Sequence, residues 1–149
     1  MDSSERIALI RRMKPEDSED ISRIYRTITK QPANIDFATH IAELVHGKDT
    51  TCLIAEQGGR IVGFMISYVL TLGFGVEKGA WIATFAVHPR YMGQGIGALL
   101  AEETFKVYRD QGITSVFTSV KWDSTDLLSF FRRLDFQRSD FINLGKKLS

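Results

Sequence analysis

Apolar side chains recur along this chain in two rhythms, and the changes of rhythm mark its elements. "IALIRRM" (7–13) reads as a first strand. In "KPEDSEDISRIYRTI" (14–28), Ile21, Ile24, Tyr25 and Ile28 fall at helical spacing. Pro15 suits the start of that helix, and Glu16, Asp17, Glu19 and Asp20 suit the positive end of its dipole. "QPAN" (31–34) breaks it. "IDFATHIAELVHG" (35–47) predicts a second helix, with Asp36 near its start, Phe37, Ile41, Leu44 and Val45 on one face, and Gly47 as its stop. The pattern then turns strand-like. "TTCLIAEQGGRIVGFMISYVL" (50–70) reads as two strands around a turn at Gly58-Gly59. "TLGFGVEKG" (71–79) reads as a loop and "AWIATFAVHP" (80–89) as a fourth strand ended by Pro89. "IGALLAEETFKVYRDQG" (96–112) predicts a helix with Ile96, Leu99, Leu100 and Val107 on one face and Gly112 as terminator. "ITSVFTSVKW" (113–122) is a fifth strand. "DSTDLLSFFRRLDF" (123–136) is a last helix, capped by Asp123 or Ser124, with Leu127, Leu128, Phe131 and Leu134 as its apolar face. "FQRSDFINLGKKL" (136–148) closes the chain in extended form.

Strands and helices neither alternate strictly nor segregate, so a mixed sheet with helices on both faces is the simplest architecture. At 149 residues the chain is expected to form one domain, spanning 1–149, with a full core. Nineteen basic residues balance eighteen acidic ones, so no electrostatic footprint for nucleic acid is present. The single cysteine, Cys52, lies in an apolar run and reads as a small buried hydrophobe; one cysteine makes no internal disulfide, and a cytoplasmic location follows as the default expectation. The N-terminal "MDSSERIALIRRM" does not read as a signal peptide. The longest apolar stretch, "IVGFMISYVLTLGFGV" (61–76), is broken by Gly63, Gly73 and Gly75 and falls short of a membrane span. No metal site is expected: His40 and His46 lie on different faces of one helix, and His88 stands alone.

The candidate chemistry sits at "VHPRYMGQGIGALL" (87–100), where Gly93, Gly95 and Gly97 mark a strand-to-helix junction. The first amides of a helix point outward without partners, the helix dipole adds positive charge there, and glycines clear the approach. The product is an anion site suited to phosphate. A Walker A loop would need a Gly-Lys-Ser/Thr ending, and a Rossmann fingerprint would need G-x-G-x-x-G after a first strand; neither is here. A pyrophosphate loop of an acyl-CoA transferase fits spacing and position, and a glycine-rich turn without a ligand is the competing explanation.

At these residues the chain resembles the GNAT superfamily of acetyl-CoA-dependent N-acetyltransferases. The resemblance covers nearly the whole chain and rests on element order, on "FAVHPRYMGQGIGALL" and on "SFFRRLDF". Val87, Pro89, Gly93, Gly95, Ile96 and Gly97 match the family's V-x-P-x-x-R-G-x-G-I-G form. It implies an α/β (α+β type) fold: a mixed sheet of six or seven strands, about four flanking helices, and a splay between the fourth and fifth strands. It further implies that backbone groups of Phe85, Ala86 and Val87 pair with the pantetheine arm of acetyl-CoA. Amides from Met92, Gly93, Gln94, Gly95, Ile96, Gly97 and Ala98 would cradle its pyrophosphate. The Val87 N–H would donate to the thioester oxygen.

The chain also departs from the family's pattern. The family's Gln/Arg falls at Met92, with Arg90 one step out of register and able to bring charge nearby. The usual acidic residue of the fourth strand is replaced at Trp81, Ala83 and Thr84; Glu77 and His88 are weak substitutes. The usual tyrosine of the last helix is Phe131, which can pack on the cofactor arm but donates no proton. The familiar asparagine is Ser124, a cofactor partner or a helix cap, and the family glycine before Phe136 is Asp135. A positioned proton donor or acceptor contributes about 10²–10⁴ in rate. An α-amino group with pKa near 8 is neutral about once in ten molecules at pH 7, a lysine-like amine about once in 2,500. An acceptor of low pKa, or reliance on ordered water, is therefore expected. The implied function is direct acetyl transfer to an amine, on a small molecule or a protein N-terminus or lysine, without nucleic acid or membrane. An acyl-CoA-binding sensor that has lost catalysis is the alternative. A homodimer through the final strand is a family analogy.

Overall fold

The computed structural model describes residues 8–30, 37–72 and 77–149. Ile7, the "QPAN" break, Asp36 and the centre of the 71–79 loop lie outside the described residues. Strand β1 (Leu9–Arg12) leads through a 3-10 turn at Pro15–Asp17 into helix α1 (Ser18–Thr29) and helix α2 (Phe37–Val45). Strands β2 (Thr50–Gln57), β3 (Arg60–Leu72) and β4 (Glu77–Val87) follow. Helix α3 (Ile96–Asp110), strand β5 (Val116–Thr118) and helix α4 (Thr125–Arg133) complete the elements.

Among the described residues the sheet has five strands in the order β1-β2-β3-β4-β5, where six or seven were expected. The first three pairings are antiparallel and β4–β5 is parallel. Three expectations about strand extent change. The loop shrinks, because Thr71, Leu72, Glu77, Lys78 and Gly79 pair within β3 and β4. The fifth strand is three residues long. Residues 137–149 form no strand, because an alternating pattern makes a chain extended but a strand also needs a neighbouring edge to bond.

Two apolar layers cover the sheet. Ile21, Ile24 and Ile41 of α1 and α2 pack on Cys52, Ile54, Phe64 and Ile66. On the other face Ile96, Leu100 and Phe131 of α3 and α4 pack on Leu53, Val62, Met65 and Ile82. The buried stripe of α3 runs through Ile96, Gly97, Leu100, Ala101, Thr104 and Tyr108, so Leu99 and Val107 lie at its rim. On α4, Phe131 is buried while Leu127 and Leu128 are exposed, a narrower apolar face than expected. Ser67 Oγ donates to the Thr51 carbonyl at 2.9 Å and lies 2.8 Å from the Tyr108 hydroxyl, a buried polar pin between α3 and the sheet. Cys52 is buried as expected, and burial pushes its thiol up to about 11.

Candidate functional site

The site is built where β4 loses its neighbour. Ala80, Trp81 and Ile82 pair with Val116, Phe117 and Thr118, and pairing with β5 stops there. The last contact is made by a side chain: Thr118 Oγ1 donates to the Ile82 carbonyl at 2.9 Å. β4 continues through Val87 beside an open gap. A bulge marks the same point. Ile66 faces Thr84 but Ser67 faces Ile82, which leaves Ala83 as an extra residue.

The bulge decides which backbone groups face the gap. Before it, the Ala80 N–H donates to Ser115 of the loop leading into β5. After it, the His88 N–H donates to the Val62 carbonyl on the β3 side. In an antiparallel pair successive residues point their groups to opposite sides. Thr84, Ala86 and His88 therefore bond toward β3, and the N–H and C=O of Phe85 and Val87 point into the gap. Ala86 was expected to pair with a ligand there; its backbone is directed to β3 instead.

The gap ends at the glycine loop. A 3-10 turn at Pro89–Tyr91 is capped by His88, whose Nδ1 accepts from the Arg90 N–H at 3.1 Å, and whose ring lies edge-on to Tyr91. That gives His88 a structural task. Met92 and Gln94 are exposed, and Gly93 and Gly95 have φ of +81° and +79°. Nothing lies within 4 Å of where a Cβ would stand at either glycine. Gly95 is the N-cap of α3, so the first amides of that helix open onto clear space. Gly97 differs. A Cβ there would sit 2.8 Å from Phe85 and 2.9 Å from Phe130, so the missing side chain makes room for aromatic rings, while its N–H remains one of the first-turn amides of α3.

Those rings close one face of the gap. Phe85 stacks on Phe130 with centroids 4.8 Å apart, and Phe131 packs against Phe85, Phe130 and Phe136. Phe131 is thus part of the core. Ser124 is the N-cap of α4 but makes no side-chain cap bond, so the expected capping role is not performed by its hydroxyl. Asp135 takes φ +67°, the left-handed conformation expected from a family glycine. Glu77 opens β4, and eight strand steps separate it from Phe85, roughly 26 Å. That separation removes Glu77 as a base for chemistry in the gap.

One contributor had no signal of its own in the sequence: Gln57 Nε2 donates to Gln94 Oε1 at 3.0 Å, tying the β2–β3 turn to the glycine loop. A groove of about 700 Å³ lies elsewhere, between the end of α3, β5 and residues 134–137.

The fold is shared with solved acetyltransferases. An aminoglycoside acetyltransferase from an uncultured soil metagenomic sample, solved with sisomicin, superposes with a TM-score of 0.83 at 22% identity, covering 97% of this chain and 99% of its own. An aminoglycoside N-acetyltransferase in complex with CoA gives a TM-score of 0.81 at 14% identity, with 95% of each chain covered. The ribosomal-protein-alanine N-acetyltransferase of Brucella melitensis gives 0.78 at 17% identity, covering 95% of this chain and 99% of that one. At such identities the likeness speaks to the fold alone. Residues 18–136, most of the chain, match the acetyltransferase (GNAT) family, and the chain belongs to that family.

Proposed function

We propose that this protein is an acetyl-CoA-dependent N-acetyltransferase that moves an acetyl group to an amine within a ternary complex. One observation carries the reading: the unpaired N–H and C=O groups of Phe85 and Val87 line a gap that runs into the open N-terminus of α3. The gap offers an extended amide-bearing arm a strand edge, and the loop offers a pyrophosphate its amides. Met92, Gly93, Gln94, Gly95, Ile96 and Ala98 are the loop's backbone contributors, with Arg90 supplying charge from the adjoining turn. The Gly97 N–H joins them as a first-turn amide of α3, and the missing side chain at Gly97, with Phe131, fixes Phe85. Ser124 is a further candidate partner for the arm. An arm anchored at the loop meets Val87 first and Phe85 last, so we assign the Val87 N–H to the arm and the Phe85 N–H to the thioester oxygen.

The amine attacks as the free base. Its lone pair forms the C–N bond, the C–S bond breaks, sulfur leaves as the thiolate of CoA, and the proton shed by nitrogen passes to solvent. Preorganised N–H donors stabilise the negative charge that develops on oxygen. No carboxylate stands at Trp81, Ala83 or Thr84 and no hydroxyl at Phe131, so the amine's own pKa governs the rate. An α-amino acceptor is expected to outrun an otherwise similar alkylamine at pH 7, with the advantage shrinking as pH rises.

A second reading, an acyl-CoA sensor without turnover, draws on the same missing acid and base. CoA release over an amine panel separates the two, since a sensor releases none. We further propose a homodimer through the final segment. Ile142, Leu144 and Leu148 stand 79–87% exposed, and β5 is an edge strand bonded on one side only among the described residues.

The founding test is calorimetric titration of acetyl-CoA into the protein and its Gly95→Asp variant. The variant should fold, because aspartate tolerates the left-handed region and nothing crowds its Cβ. Binding to the wild type and its loss in the variant support the assignment. No binding to the wild type removes its foundation.

A further inference from the structure

Among the described residues, the gap is filled on one face and open on the other. Phe85, Phe130 and Phe131 fill the α3–α4 side. On the opposite side Thr84 is exposed, and Ala86 beyond it packs beneath α1 and α2. An acceptor must therefore arrive over the sheet surface that continues past Thr84, away from the helices.

That surface carries a row of aromatic side chains. Phe64, Ile66 and Tyr68 alternate onto the same face of β3. Their partners on β4 are Ala86, Thr84 and Trp81, and Trp81 is in turn opposite Phe117 on β5. Residues directly opposite share a face of the sheet. Tyr68, Trp81 and Phe117 thus lie side by side across three strands, all partly buried. Trp81 and Phe117 stack, with centroids 6.5 Å apart and planes inclined by 22°. Phe141 adds its edge to Phe117 at 5.9 Å. Leu70 extends the same face beyond Tyr68. Their neighbours Ala80 and Val116 point the other way, into the cluster with Tyr108 and Ile113.

Between Gly79 and Ala86 this face of β4 has no carboxylate; Glu77 lies two pleats beyond Trp81. A polycationic acceptor would find no countercharge on this stretch of β4 among the described residues, whereas an aromatic ring would find flat, half-desolvated partners for stacking.

Resting on the transferase reading above, we infer that the row Tyr68–Trp81–Phe117 is the acceptor platform and that it selects an amine carried on an aromatic body. Taken with the missing base, the acceptor is an α-amino group beside an aromatic side chain. The transfer step is unchanged: C–N forms, C–S breaks, thiolate leaves, and the amine's proton goes to solvent.

Phenylalaninamide and glycinamide, compared at a pH above the pKa of both amines so that each is the free base, isolate the platform, because both present an α-amino group and only one carries a ring. CoA release with each is followed by thiol titration, with spermidine as the polycationic control and acetyl-CoA binding measured separately. The expected kcat/KM favours phenylalaninamide by about tenfold or more, with spermidine poorest. Trp81→Ala should raise KM for phenylalaninamide, leave glycinamide little changed and keep acetyl-CoA binding. Phe117→Leu repeats the test if the first variant folds poorly. Equal use of the two amides, or preference for spermidine, by a protein that binds acetyl-CoA overturns the platform and leaves the transferase intact. A Trp81→Ala variant that changes sedimentation and not the amide preference also overturns it, by making the row a contact between copies. Failure to bind acetyl-CoA removes the transferase reading and the platform with it.

Discussion

At the scale of single residues, charge is concentrated at one junction. Arg11 on β1 reaches Asp17 through two nitrogens at 2.9 Å each, and Glu56 on β2 through Nε at 2.9 Å. The Lys14 N–H adds a bond to Asp17 at 2.7 Å. Burial works to raise the Asp17 carboxyl, but the bonds from Arg11 and Lys14 outweigh it and hold the group below its ordinary value. A carboxyl depressed in the folded state stabilises the fold above its unfolded pKa, and that stability is lost as pH falls toward the folded value. Asp17→Asn should therefore lower stability by roughly 2–3 kcal/mol at pH 7. In urea titrations the difference from wild type should shrink by pH 3; a gap independent of pH would show that the charge is not the cause. Asp17 looked like a dipole partner at a helix start. The reach of its partner Arg11 to Glu56, 45 positions away, belongs to the pairing of β1 with β2, which single-residue reasoning does not supply.

At the scale of elements, three similar glycines divide into two kinds. Gly93 and Gly95 serve backbone conformation and clearance, as their spacing suggests, while Gly97 serves packing between α3, β4 and α4. Gly97→Ala sets two effects against each other. Alanine in a helix gains about 1 kcal/mol over glycine, but inserting a methyl into a filled core costs about 1–3 kcal/mol. Two aromatic rings at under 3 Å cannot yield cheaply, so the variant should be less stable by about 1 kcal/mol. It should also bind acetyl-CoA more weakly, because Phe85 is displaced. A variant as stable as wild type would mean the rings move freely. Glycine positions were legible from sequence; the ring behind one of them was not, because Phe85 and Phe130 come from elements far apart in the chain.

At the scale of the whole molecule, the unsatisfied feature is the end of the chain. Residues 137–149 carry exposed apolar side chains and border an edge strand, an arrangement that invites pairing with another copy. Replacing Leu144 and Leu148 with Asp should leave the fold within about 0.5 kcal/mol, as exposed substitutions usually do. The same change should convert a dimer to a monomer in sedimentation equilibrium. A wild-type protein that sediments as a monomer at micromolar concentration would end the dimer proposal.

Period and punctuation were enough to place the four helices, the hairpin at Gly58-Gly59 and the glycine loop before α3, since propensity, turns and caps act over a few residues. Cys52 could be read as buried for the same reason: it sits inside an apolar alternation. Tertiary structure decided everything that depends on partners. Among the described residues it limited the sheet to five strands, because a tail that lies beside an edge without forming a backbone ladder on it is not a strand. It set Glu77 at the far end of a long β4, and it turned Ala86 away from the gap, because one bulged residue at Ala83 resets which backbone groups face which side. It also brought Tyr68, Trp81 and Phe117 into one row, a consequence of register among three strands. The local code determines which residues are extended and which turn; hydrogen-bond registry between distant segments determines what those residues face, and so what chemistry they can do.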